Sequence, residues 1–90
     1  MEYRSSGDTA DYLHDVTSSL SGSEEVSSVV WTIPAGLTLL SQSDTTTGSV
    51  IQIDITGENG QRVELKSKIS TSIGNIYNRY WYIVIQKQLD

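Results

Sequence analysis

The chain contains no cysteine and no phenylalanine, and only one proline, one methionine and one histidine. Without cysteine there is no disulfide framework and no thiolate metal site. Positive charge is also scarce: six Lys and Arg stand against eleven Asp and Glu, a formal net charge of −5. An acidic domain repels phosphate backbones and anionic lipid, so neither nucleic acid nor a membrane surface is an expected partner. No run approaches the roughly 18 apolar residues of a membrane span. The opening "MEYRSSGDTADY" lacks a basic region followed by an apolar one, and there is no Asn-x-Ser/Thr sequon. The expectation is a chain without a signal peptide, synthesised in a cytoplasm.

Long helical periods are missing too. What is present is period-2 alternation. In "SVIQIDIT", Ile51, Ile53 and Ile55 point one way and Gln52 and Asp54 the other. In "RVELKSKIS", Val63, Leu65 and Ile69 oppose Glu64, Lys66 and Lys68. "VSSVVWTI" is a strand by its β-branched content, with Val29, Trp31 and Ile33 on one face. "ADYLHDV" is an edge strand with Tyr12, His14 and Val16 opposite Leu13 and Asp15. "TSSLSGS" is a loop or a single helical turn. In "IPAG", Pro34 fits position i+1 of a type I turn and Gly36 position i+3. Turn signals recur every roughly 8–12 residues, which indicates a sandwich or barrel of six or seven strands. Residues 1–9 read as a flexible N-terminal arm, and 10–90 as a single domain. Ninety residues bury only roughly 60–65% of the unfolded surface, so the stability margin is thin.

Asn59-Gly60 signals a hairpin, but a two-residue loop there would set Ile55 beside Glu64 and Ile53 beside Lys66. Directly opposite residues share a face, so that register is rejected. Either a three-residue loop, Glu58-Asn59-Gly60, pairs Ile55 with Val63, or "GENGQ" is an arch between two sheets.

Catalytic and metal chemistry find little support. His14 could be oriented by Asp11 or Asp15, but no G-x-S-x-G nucleophile turn exists. The plain reading of His14 is a strand residue on a half-exposed edge. Asp8, Asp11 and Asp15, and Glu24 with Glu25, do not have calcium-loop spacing; they read as a solvated acidic edge. Trp31 reads as a core anchor.

"RYWYIVIQ", residues 79–86, breaks the alternation: six consecutive residues are aromatic or aliphatic. One face meets the core. The other carries Tyr80, Tyr82 and Val84 beside Lys66 and Lys68. Tyrosine pairs apolar area with a polar tip and is enriched at interfaces, so this row is the candidate contact face for another subunit.

"VVWTIPAGLTLLSQSDTTTG" and "KISTSIGNIYNRYWYIVIQ" resemble a family of small phage virion proteins. Its members carry a W-T-[VI]-P-[AD]-G-[LI]-T block, matched here by Trp31 to Thr38. A later T-x-S-x-G pattern and terminal strand are matched by Thr71, Ser72 and Gly74, then Arg79, Trp81, Ile83 and Ile85. The family's Arg after that Gly is Asn75 here. The resemblance implies an antiparallel immunoglobulin-like or fibronectin-III-like β-sandwich without cofactor, metal or catalytic residues. It implies a non-enzymatic structural protein of the virion, synthesised in the host cytoplasm. Such a protein acts as a fiber–tail or head–tail adaptor, or as a capsid cement or decoration protein. Its partners would be major capsid, portal or tail components, with homo-oligomers an option. The alternative from another class is a carbohydrate-binding or adhesion module using the same tyrosines. The resemblance also sets Trp81, Ile83 and Ile85 inward and favours the arch. A turn register summing to 150 then pairs Ile69 with Trp81 and Leu65 with Ile85.

Overall fold

The computed structural model describes residues 1–86; the expected domain end at residue 90 lies outside them. Seven strands form: β1 (Glu2–Ser5), β2 (Thr9–Asp15), β3 (Val26–Thr32), β4 (Leu37–Thr45), β5 (Gly48–Ile55), β6 (Arg62–Thr71) and β7 (Ile76–Gln86). They make two sheets, one ordered β1-β7-β6-β3 and the other β2-β5-β4. Among the described residues the only helical element is a 3₁₀ turn, Thr17–Ser19. The fold is therefore all-β, as alternation predicts.

The alternating runs bury the expected faces. Ile51, Ile53, Ile55, Leu65, Ile69, Ile83 and Ile85 are all essentially inaccessible between the sheets. Full burial of such a side chain stabilises by about 1.5–3 kcal/mol. Trp31, Ile33 and Trp81 pack against this cluster while staying partly open at its margin. Trp31 is thus a boundary anchor rather than a fully enclosed one.

Several local expectations need correction. The first nine residues are not a free arm. Glu2–Ser5 pairs in parallel with β7, setting Tyr3 beside Val84; among the described residues it is the one parallel pair, the other four being antiparallel. The Tyr12 hydroxyl donates to the Glu2 carboxylate, and Gly7 N–H donates to Ile55 C=O at 2.8 Å. Four residues show no period, yet joining a sheet edge needs only backbone donors and acceptors.

The "IPAG" turn is shifted by one residue. Leu37 N–H donates to Pro34 C=O, which puts Gly36 at i+2 with φ 102°. Ala35 at i+1 keeps a negative φ, so positive φ at i+2 makes this a type II turn, and glycine meets that without steric cost. The Gly36 carbonyl accepts from Thr56 and Gly57 N–H, and Gln61 Nε2 donates to Ala35 C=O at 3.0 Å. These bonds hold "GENGQ" against the Pro34 turn. The segment joins β5 in one sheet to β6 in the other, so it is the arch.

The β6–β7 connection is tighter than a long loop. Thr71 N–H donates to Asn75 C=O at 2.9 Å, and Gly74 takes φ 90°. This is a three-residue hairpin loop with a left-handed glycine. Strand β7 consequently starts at Ile76, and the register differs from expectation: Leu65 faces Trp81, and Ile69 faces Tyr77. The displacement is an even number of residues, so the inward and outward faces survive it.

Candidate functional site

The outer face of the four-stranded sheet is where the tyrosine row emerges. On β7 the even-numbered residues point away from the core. The β6–β7 register sets Tyr80 beside Lys66, Tyr82 beside Glu64 and Val84 beside Arg62. Tyr80 and Tyr82 are 43% and 54% exposed, and Val84 is half-buried. The Lys66 ammonium lies over the Tyr80 ring at 5.5 Å from its centre, a cation–π contact that half-buries the lysine. Lys68 is exposed and sits opposite Asn78, away from the tyrosines. The structure thus brings four of the five expected residues into one strip, with Lys68 at its margin.

Two further residues join the strip. The parallel addition of β1 sets Tyr3, 60% exposed, next to Val84. Met1, 77% exposed, helps line a groove of ≈ 300 Å³ with Tyr82, Val84, Arg62 and Glu64. The result is an exposed apolar band: Tyr80, Tyr82, Val84, Tyr3 and Met1. Nothing in "MEYRS" announces this. The only signal was a tyrosine in a segment without other apolar periodicity.

Charge is segregated between the sheets. The outer face around the band has three cations, Arg62, Lys66 and Lys68, against one anion, Glu64. Strands β2, β4 and β5 carry Asp11, Asp15, Asp44 and Asp54 and no Lys or Arg. In an acidic chain, the aromatic band is thereby rimmed by most of the strand cations. Such a rim is complementary to an acidic partner surface.

The interior holds no comparable chemistry. His14 is buried rather than half-exposed, with Nδ1 2.8 Å from the Ser67 hydroxyl. Burial holds its pKa below the ordinary value of 6.5, with Arg79 adding to the effect. Asp15 turns away and accepts from Thr17 instead. Ser67 is wholly buried, so the Ser–His pair is closed off from solvent inside the sandwich. Glu24 is likewise not part of a solvated edge. It is buried, and its carboxylate accepts from Thr71 Oγ1, Asn75 Nδ2 and Ser21 N–H. The hydrogen bond from Thr71 is the main cause that lowers its pKa. Glu24 therefore ties the β2–β3 connection to the β6–β7 hairpin, and Asn75 at the departed family position serves this bond. Trp31 Nε1 donates to Ser49 Oγ at 2.9 Å, and Ser49 donates in turn to Asp44. All of these are satisfied structural networks.

Residues 4–84 match a family profile described as Podophage GP4 fiber-tail adaptor protein gp77. No curated protein and no solved structure gives a significant match.

Proposed function

This chain belongs to the podophage GP4 fiber-tail adaptor family, and from that premise we propose that it bonds tail components together through the outer face of its four-stranded sheet. It works by burial, without turnover. Tyr80, Tyr82, Val84 and Tyr3 supply the apolar area, and Arg62, Lys66 and Lys68 supply a cationic rim. The partner surface is apolar at its centre and acidic around it. A band of this kind is costly to leave bare in a free monomer and marks a partner site. The observation that carries the reading is the band itself, built from both chain ends of the described residues and sitting opposite an acidic sheet.

The sandwich is read as immunoglobulin-like rather than fibronectin-III-like. In support, β4 pairs with β5, so β2-β5-β4 and β3-β6-β7 follow the order of the two immunoglobulin sheets. The first strand joins the β7 edge instead of the β2 edge. The rigid sandwich holds the band flat, so little ordering entropy is lost on docking.

Hydroxyl-radical footprinting of the free chain and of assembled tails tests this. Tyr80 and Tyr82 are expected to lose reactivity on assembly, while Leu13 on the opposite sheet, 54% exposed, keeps it. Equal reactivity of the two tyrosines in both states overturns the proposal.

A further inference from the structure

The two strands bordering one side of the sandwich, β3 and β4, are the outermost members of their sheets. Between Val26 and Ser43 there is no Asp, Glu, Lys or Arg, although such residues are 19% of the chain. The strands on the opposite side differ. There β1 holds Glu2 and Arg4, and β2 holds Asp11 and Asp15. Natural sheets protect open edges with charge, proline or bulges. Here β4 is bulged in mid-strand, between Leu39 and Ser41. On β3 the irregularity lies at the start, between Val26 and Ser28, leaving Ser28 to Thr32 in unbroken register with β6. That stretch is Ser-Val-Val-Trp-Thr, strongly β-forming, with Val30 57% exposed. Every second residue of it turns its N–H and C=O to the open edge.

We infer that β3 is a dimer edge, pairing antiparallel with β3 of a second copy about a two-fold axis near Val30. The occupant must be an extended strand, because the unmet groups are ladder donors and acceptors. A second copy is favoured because of the missing charge. In an isologous contact every residue near the axis meets itself or a close neighbour, so any charge there meets its like. An edge free of charge for its whole length, in a chain of net charge −5, satisfies that condition. Centred on Val30, the pairing sets Val30 against Val30 on the outer face and Val29 against Trp31 on the inner face. Aromatic and β-branched cross-strand pairs are favourable. The dimer joins two four-stranded sheets into one, so two outer tyrosine bands lie on the same side. Binding through both would gain avidity, but the dimer itself does not depend on what those bands bind.

Sedimentation equilibrium of the full chain, with Val30→Lys and Val30→Glu variants, decides the matter. The parent should show concentration-dependent dimers. Each variant should dimerise at least about tenfold more weakly, and the mixture of the two should recover mixed dimers, because Lys and Glu then face each other. Circular dichroism of each variant checks that the fold persists. A parent that remains monomeric at every concentration, or Val30→Lys dimers as tight as the parent's, overturns the inference. Loss of tail binding in Tyr82→Lys with dimers intact would separate this edge from the docking face.

Discussion

Trp31 and Trp81 stack with ring centres 5.3 Å apart and planes 21° from parallel, although they stand on β3 and β7 with β6 between them. Tyr12 from the opposite sheet meets Trp81 edge-on at 5.6 Å. This aromatic group fastens the two sheets at the margin of the aliphatic core. Trp31→Ala should cost about 3 kcal/mol, the low end for an aromatic truncation because the ring is partly open. A double-mutant cycle with Trp81→Leu should return a coupling of about 0.5–1.5 kcal/mol. Urea unfolding of the four proteins measures both, and additive effects would show that the stacked pair contributes only its separate burials.

Glu24 makes acid stability sensitive to one carboxylate. Its folded pKa lies below the ordinary 4.5, through hydrogen bonds led by Thr71. The unfolded chain therefore takes up this proton first as pH falls. The stabilisation is fully present above about 4.5 and is lost as pH drops through the folded value. Glu24→Gln should melt lower than the parent at pH 7, and the gap should close toward pH 3. Melting curves across that range check it; a constant gap would mean that the carboxylate's charge is not what the hairpin uses.

His14 works in a higher window and in the same direction. Burial holds its folded pKa below 6.5, so folding favours the neutral ring. The stabilisation is complete above the unfolded value of about 6.5 and falls away as pH drops through the folded one. His14→Gln should remove the slope of melting temperature between about pH 7 and pH 5. It should leave tail incorporation unchanged at pH 7, since the ring bonds Ser67 inside the sandwich. An incorporation defect in a folded His14→Gln protein would give this histidine a role that its burial does not explain.

Alternation makes much of the core legible: the isoleucines of β5 and Val63, Leu65 and Ile69 of β6 are inside as the pattern requires, and Ile83 and Ile85 are inside as the family resemblance implies. The outward tyrosines followed from the same parity, which an even register error does not disturb. What the sequence hid depends on long-range pairing or single turn angles. Glu2–Ser5 joins β7 across nearly the whole chain, and no local period encodes a backbone-only contact. Gly36 fits a type I or a type II turn, and only its φ of 102° distinguishes them. Glu24 reads as surface charge because its donors come from three residues, Ser21, Thr71 and Asn75, two of them far along the chain. Tyr3 and Met1 were missing from the candidate face for the same reason as β1 was.

The docking face is tested most directly by Tyr82→Lys. The side chain lies in the middle of the apolar band, 54% exposed, opposite Glu64. On open surface the change shifts stability by only about 0.5 kcal/mol or less. Inside a closed contact it removes the ring's apolar area and sets a buried ammonium beside Glu64, which weakens the interface by about 2 kcal/mol or more. Parent and variant would be mixed in equal amounts with tails lacking the adaptor, and the bound ratio read by mass spectrometry. The account predicts that the variant folds and melts like the parent but is nearly absent from the tails. Equal incorporation of the two would contradict it and move the docking surface away from the tyrosine band.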